Sequence, residues 1–247
     1  MIPNKDYYEG STLDAELDKL FRQSWQFVAM SDELANNRDF VCVDLPDDSI
    51  VVQNFRGELR AFRNVCTHRL SLIQTSERGN RHLMCSYHGW TFDAEGMPLG
   101  MGDRQGFIAP GESRDRLCLT RYRVESCGRF VFVARGAETQ ALDDFLGPFA
   151  NVLRDLGSHM GTETHYDNVE HAANWKLLVE NVLECYHCTT VHPQTFVTGL
   201  GVGRKPIADV EVYEAAEGSH SSSHFPGRQS SAKPYAARSY HILMAAL

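Results

Sequence analysis

The sequence has no long apolar segment, no excess of basic residues and no leader-like start. Its apolar runs, such as Phe130–Ala134, have the length of a β-strand and are far too short to span a membrane. A formal net charge of −8 argues against a nucleic-acid surface, which needs clustered lysine and arginine, and against binding to an anionic membrane. The first eight residues lack the charged and apolar regions of a signal peptide. We therefore expect a cytoplasmic protein with neither nucleic acid nor a membrane among its partners.

Cysteine is too scarce for a protein held together by disulfides, with seven cysteines, an odd number, in 247 residues. In a reducing compartment such cysteines bind metal or lie buried more often than they pair. The apolar fraction of 43% is ordinary for a globular protein with a core. The length suits one large domain or two modest ones.

The hydrophobic pattern changes along the chain. Apolar residues at helical spacing predict a helix over residues 11 to about 30. Short apolar segments separated by turns then predict a small β-rich domain. Strands are expected near residues 40–43, 49–55, 59–65, 117–124 and 129–134.

From about residue 142 the pattern becomes helical again. A further helix is predicted over residues 173 to 191 and is ended by Pro193. The segment 199–233 is rich in glycine, serine and charge, which predicts a loop, and the apolar last residues predict a strand or the start of a helix. The sequence therefore predicts an α+β protein.

Two pairs of cysteine and histidine stand in the β-rich part, in the runs Cys66-Thr67-His68 and Cys85-Ser86-Tyr87-His88. Cysteine thiolates on one iron and histidine imidazoles on the other are the ligand set of a Rieske [2Fe–2S] cluster. A structural zinc site also uses two cysteines and two histidines, but zinc fingers usually place both cysteines before both histidines. The order therefore favours the iron–sulfur interpretation.

A second group of candidate ligands follows in the predicted second helix. Glu184 and His187 are three residues apart and share a helix face, whereas His187 and His192 are five apart. The two histidines converge on one metal only if the helix bends or ends between them, and Pro193 favours an ending there. Two histidines with open positions suit a mononuclear, non-haem Fe(II). The alternatives are a redox or zinc pair at Cys185 and Cys188, or two histidines without a ligand role.

Residues 66–69 and 85–92, with Gly96 after them, resemble the Rieske domain of ring-hydroxylating oxygenase large subunits. That family usually has glycine where this chain has Leu70. Because leucine does not readily take a positive φ, we expect the first loop to be shifted, or the cluster perturbed, without loss of a ligand.

Asn174-Trp175-Lys176 and the run 180–193 resemble the catalytic domain of the same family. The resemblance implies that Glu184 bridges a Rieske histidine of one subunit and an iron-binding histidine of the next, across the interface of a homotrimer. The family usually has aspartate there. A glutamate at this position, within the run Glu-Cys-Tyr-His-Cys, more closely resembles the sequences of the branch that oxidises quaternary ammonium compounds, such as carnitine and glycine betaine monooxygenases.

The resemblance also implies a division of the chain and a reaction. Residues 1–36 would form a helical segment packed on the catalytic domain, 37–138 the Rieske domain, and 139–247 part of a helix-grip catalytic domain. An NAD(P)H-dependent reductase, with or without a ferredoxin, would supply electrons for hydroxylation of a small organic substrate by O₂. An aromatic ring as the substrate, and an electron-transfer module with an incomplete catalytic domain, are the alternatives.

The carboxylate that completes the iron site in this family lies well beyond the second histidine. In this chain, the acidic residues that follow His192 all stand in a charged run, which we interpret as a solvated surface. We therefore expect a truncated or partial oxygenase subunit. His220 and His224 stand in a serine-rich segment and are predicted to lie on a flexible surface. The acids after His192 are Asp209, Glu211, Glu214 and Glu217.

Overall fold

The structure, a computed structural model, describes residues 2–45, 47–102, 107, 113–162, 164, 172–183, 187–194, 211–214, 221–226 and 239–244. The chain forms two compact units. The first comprises Asp14–Phe145 and Ala150–His165; the second comprises Met1–Leu13, Leu146–Phe149 and Tyr166–Ala246. None of the helices in the described ranges is long and apolar enough to cross a membrane.

The described part of the first unit contains nine strands. They are β1 (Trp25–Met30), β2 (Asp39–Leu45), β3 (Asp48–Phe55), β4 (Glu58–Arg63), β5 (Arg78–Asn80), β6 (Thr91–Phe92), β7 (Pro98–Gly100), β8 (Arg121–Cys127) and β9 (Phe130–Ala134). Seven of them form an antiparallel sheet in the order β1-β9-β8-β4-β3-β2-β5, and β6 pairs with β7. The strands confirm the predicted β-rich domain.

A two-residue turn at Arg56 and Gly57 joins β3 to β4. Both residues have positive φ, 57° and 96°, which suits the right-handed twist of the two strands. Asn54 Oδ1 accepts a hydrogen bond from the Gly57 N–H at 2.7 Å. The two strands therefore form a hairpin, with Phe55 opposite Glu58.

The interior strand β3 is buried on both faces, because a hydrophobic core covers each side of the sheet. Ile50, Val51 and Val52 are all fully buried. Ile50 and Val52 pack with Val131 and Val133 of β9, whereas Val51 packs on the opposite face in a core that includes Cys66, Ile73, Leu83, Cys85, Trp90 and Phe92. The sheet thus supports the segments that carry both cysteine–histidine pairs.

The predicted first helix is too long. Helix α1 (Gly10–Glu16) continues as one π-helical turn, Leu17–Phe21, and the chain then enters β1. Trp25 is 1% exposed and pairs with Ala134 of β9, whereas the helical residue Leu20 stays 40% exposed. Pairing with a strand more than a hundred residues away overrides the local helical periodicity.

From residue 142 on, the described residues include the helices α2 (Leu142–Leu146), α3 (Phe149–His159), α4 (Trp175–Leu183) and α5 (Cys188–Val191). Gly147, at a φ of 52°, separates α2 from α3. The single helix predicted over 173–191 is described as two helices, with residues 184–186 outside the described ranges.

The loop predicted over 199–233 contains strands, so this prediction is wrong. Strands β10 (Glu211–Glu214), β11 (Ser221–Pro226) and β12 (Ser239–Met244) form an antiparallel sheet. His224 pairs with Glu211 on one side and with His241 on the other, because backbone pairing tolerates a serine-rich composition when a partner strand is present. Asp209, Glu217 and His220 lie outside the described residues. Helices and sheets together confirm the α+β class.

Candidate metal centres

Cys66 and Cys85 begin two loops with the same hydrogen-bond pattern. In the first, the Cys66 N–H donates to Ser71 O at 2.8 Å and the Leu70 N–H donates to Cys66 O at 2.9 Å. In the second, the Cys85 N–H donates to Trp90 O and the Gly89 N–H donates to Cys85 O, at 2.8 and 2.9 Å. The two loops therefore present their ligands from equivalent backbone scaffolds.

Leu70 occupies the same loop position as Gly89, and both residues have positive φ, 57° and 70°. The expected shift of the first loop does not occur, because the hydrogen bond to Cys66 is kept and the leucine accepts the left-handed conformation. The leucine side chain is 78% exposed, so it avoids a clash with the core at the cost of backbone strain.

The two thiols lie in the core beneath these loops. Cys66 and Cys85 are each 1% exposed, and each has a free thiol in contact with the other. Burial raises the pKa of the Cys66 thiol most, the backbone N–H groups of His68 and Arg69 lower it, and the Cys85 thiol raises it; together these effects bring it to about 11. Those amides are placed to stabilise a thiolate bound to a metal, with release of the thiol proton.

The imidazoles form a second pair. The ring centroids of His68 and His88 are 4.6 Å apart; His68 is half-buried and His88 is exposed. Burial, followed by the nearby His88, lowers the pKa of His68 and favours the neutral ring that binds metals. His68 Nδ1 is buried without a hydrogen-bond partner in the described part of the chain, as a metal ligand requires.

Two aromatic residues that the sequence did not single out fix the His68 ring. Trp90 stacks on it at 4.8 Å with an angle of 7° between the planes, and Phe107 contacts its edge at 4.9 Å. Thr67 Oγ1 donates to Leu117 O at 2.8 Å and anchors the same loop. The position of Trp90 directly after the second loop was an available signal, whereas nothing in the sequence around Phe107 indicates its role.

The four candidate ligands divide into two pairs of different chemistry. The thiols of Cys66 and Cys85 contact each other, and the ring centroids of His68 and His88 lie 4.6 Å apart. This arrangement fits a [2Fe–2S] cluster with cysteines on one iron and histidines on the other.

His187 and His192 flank α5, and their ring centroids are 5.7 Å apart with 73° between the planes. When one metal ion binds two imidazoles through bonds of about 2.1 Å that meet at roughly a right angle, the two ring centroids lie about 5 Å apart. The ring positions thus agree with the expectation that the predicted helix is not straight here. Glu184, Cys185 and Tyr186 lie outside the described residues, and so the proposed bridge is not described.

Comparison with known protein families agrees with both centres. Residues 24–106 match the Rieske [2Fe-2S] domain, and residues 158–241 match the catalytic domain of the ring hydroxylating alpha subunit. The chain therefore matches, in order, the two domains of Rieske ring-hydroxylating oxygenase alpha subunits. The first domain implies a [2Fe–2S] cluster, and the second implies a mononuclear iron.

Among its curated relatives is the carnitine monooxygenase oxygenase subunit of Escherichia coli, 34% identical over 78% of this chain and 52% of the relative. The glycine betaine monooxygenase oxygenase subunit of Pseudomonas aeruginosa is 28% identical over 81% of this chain and 46% of the relative. The crystal structure of the quaternary ammonium Rieske monooxygenase CntA matches with a TM-score of 0.80 at 25% identity, covering 92% of this chain and 61% of that one. The chain thus spans about half the length of these curated relatives.

Proposed function

We propose that this chain belongs to the oxygenase component of a Rieske non-haem iron oxygenase that hydroxylates a small quaternary ammonium compound. When bound, the [2Fe–2S] cluster supplies electrons one at a time, and the mononuclear Fe(II) activates O₂. The observation that carries the proposal is the presence of both ligand sets in one chain, in the order of the two matched domains.

Each ligand has a separate task in this proposal. Cys66 and Cys85 would hold one iron of the cluster from within the core, where water is excluded. His68 and His88 would hold the other iron, and the exposed His88 would place the imidazole pair where electrons can be exchanged with a partner. Trp90 keeps the His68 ring in place.

The second centre is assigned to His187 and His192, with the third ligand left open. Glu184 is proposed to bridge the two centres of neighbouring subunits in a homotrimer. An NAD(P)H-dependent reductase, with or without a ferredoxin, is the proposed electron donor. The proposed division keeps 37–138 as the Rieske domain but adds β1, because this strand belongs to the same sheet. It keeps 139–247 as the catalytic domain.

The substrate class rests on the relatives and on the run Glu184-Cys185-Tyr186-His187-Cys188. A quaternary ammonium ion carries a positive charge without hydrogen-bond donors, so aromatic faces are its natural partners. Hydroxylation of a carbon next to the nitrogen gives an unstable carbinolamine, and the product then loses a carbon fragment.

The test uses anaerobically prepared protein with a reductase, NADH and O₂. The substrates compared are carnitine, glycine betaine and an aromatic acid, and the products are identified by mass spectrometry. Product from either quaternary amine, abolished by Cys66→Ser, supports the proposal. Product from the aromatic acid alone would instead assign the chain to the oxygenases that hydroxylate aromatic rings.

An electron-transfer module is the second candidate, because the chain spans only about half of its curated relatives. Iron and sulfide analysis separates the two. Three irons and two sulfides per chain fit the oxygenase, whereas two irons and two sulfides, without any product, fit the electron carrier.

A further inference from the structure

Tyr7 lies along the helix that leads to His187 and His192. Its backbone carbonyl accepts a hydrogen bond from Asn174 Nδ2 at 2.9 Å, and its hydroxyl donates one to Glu180 Oε1 at 2.6 Å. Asn174 directly precedes α4 and Glu180 lies within it. These two attachment points are six residues apart, about 9 Å along a helix axis, so a single tyrosine spans more than one helical turn.

Lys176 lies between the two attachment points and is 6% exposed. Its Nζ is 5.5 Å from the centroid of the Tyr7 ring and 5.3 Å from that of Trp175. An ammonium group within about 6 Å of an aromatic ring is attracted to the ring face. Tyr7 therefore contacts this helix with its backbone, its ring and its hydroxyl.

Asn174 connects this contact to the start of the helix. Its Oδ1 accepts a hydrogen bond from the Lys176 N–H at 3.0 Å, and its carbonyl accepts one from the Leu177 N–H at 3.0 Å. The asparagine thus caps α4 with its oxygen while its Nδ2 holds Tyr7. Tyr7 and α4 belong to the same compact unit.

The hydroxyl of Tyr7 can donate its hydrogen bond throughout the neutral pH range. Its hydrogen bond to Glu180, more than any other effect, raises the pKa of the tyrosine, so the hydroxyl stays protonated through the neutral range. The bond joins an N-terminal residue to a helix 173 positions away in sequence. Local propensity therefore does not account for it.

We infer that Tyr7 is a positioning residue for the mononuclear iron site, because its contacts with Asn174 and Glu180 fix the rotation and axial position of α4. This inference rests on the proposed function, in which His187 and His192 are iron ligands. The helix ends at Leu183, four residues before His187, so Tyr7 holds the helix that directly precedes the two histidines in the chain.

Tyr7→Phe removes the hydroxyl and keeps the ring and the backbone contact. Binding is measured with Co²⁺ as an optical probe, together with amide exchange of 175–183 and the visible spectrum of the [2Fe–2S] cluster. We expect about five-fold weaker Co²⁺ binding, the size of one ordinary hydrogen bond, and faster exchange in the helix. The cluster spectrum stays unchanged. Tyr8→Phe is the matched control, since Tyr8 is 77% exposed and loses the same atom.

Two substitutions of Glu180 separate positioning from a general loss of stability. Glu180→Gln keeps an oxygen that accepts the tyrosine hydrogen bond and should bind Co²⁺ like the wild type. Glu180→Leu removes the acceptor and should match Tyr7→Phe. Combining Tyr7→Phe with Glu180→Leu should add little to either change, because both remove the same interaction.

The outcomes distinguish the inference from the function on which it rests. If the wild type binds Co²⁺ and loses binding with His187→Ala, but Tyr7→Phe behaves like Tyr8→Phe, the positioning role is wrong and the iron site stands. Fully additive effects of the two substitutions would also contradict the role. If the wild type shows no Co²⁺ binding that depends on His187 and His192, the proposed iron site fails, and the positioning role fails with it.

Discussion

The two metal centres are built in different ways. The cysteine–histidine loops rest on a sheet whose strands come from distant parts of the chain, and their ligands are held by a buried core and by stacked aromatic rings. The pair His187 and His192 instead flanks a helix of four residues, and α4 before it is held by hydrogen bonds to Tyr7. The first centre is therefore fixed by apolar packing, and the second depends on a few polar contacts that single substitutions can remove.

Among the substitutions that test this difference between the two centres, His88→Ala should have the largest effect. The exposed imidazole has no role in the core, so the fold should remain while the Rieske visible spectrum and both cluster irons are lost. Visible circular dichroism and iron analysis measure the effect, and Co²⁺ binding at the second centre should persist. His82→Ala is the control, because His82 is exposed and lies close by in sequence. Retention of the spectrum in His88→Ala would contradict the ligand assignment.

His187→Ala is the reverse experiment. Loss of one of two imidazole ligands should abolish measurable binding at the second centre and leave the cluster spectrum at wild-type intensity. Metal titration and visible absorption on the same sample measure both results. The matched control is His159→Ala at the end of α3, a histidine exposed to solvent. Parallel loss of both centres would show that they do not fold independently.

The ion pairs of Asp47 in the first unit should make a smaller contribution, which depends on pH, to the free energy of unfolding. Burial raises the pKa of Asp47, but Arg135 and Arg22 lower it more, so the carboxyl titrates below its usual range. Asp47 accepts hydrogen bonds from both arginines at 2.6 Å, and the Arg135 side chain is 5% exposed. Because the folded pKa is depressed, this stabilisation is present at neutral pH and is lost as the pH falls through the folded value.

Asp47→Asn should therefore lower the free energy of unfolding by about 1 to 2 kcal/mol at pH 7 and by much less in acid. Urea denaturation at the two pH values measures the difference. Asp44→Asn, at an exposed position of β2, is the control and should have little effect. An equal loss at both pH values would exclude the ion pair as the cause.

Leu70→Gly should give the smallest change in stability, and it directly tests how the two cysteine–histidine loops differ. Glycine accepts the φ of 57° without strain, so the first loop should become about 1 kcal/mol more stable while its hydrogen bonds and the cluster spectrum stay the same. Thermal unfolding of the cluster-loaded protein measures the gain. Gly89→Leu is the mirror substitution and should cost a similar amount. A loss of stability in Leu70→Gly would mean that the exposed leucine side chain has stabilising contacts.

Local patterns in the sequence were enough to predict the ligands of the first centre, because their residue types and order belong to one kind of cluster. The hairpin of β3 and β4 was equally local, since Asn54 and Gly57 form the turn themselves. The end of the first helix was not predictable in this way. Trp25 enters a strand because β9 offers it a partner, and a local periodicity contains no information about that partner.

By itself, the sequence determined the α+β class, and it predicted the four candidate cluster ligands and the candidate pair His187 and His192, since these follow from residue type and spacing. The tertiary structure decided that Leu70 accepts a left-handed conformation, that Trp90 and Phe107 hold the His68 ring, and that Tyr7 reaches α4. Each of these depends on contacts between residues far apart in the chain or on a backbone angle that the rest of the loop imposes. Such contacts form only when the whole chain has folded, and no local pattern specifies them.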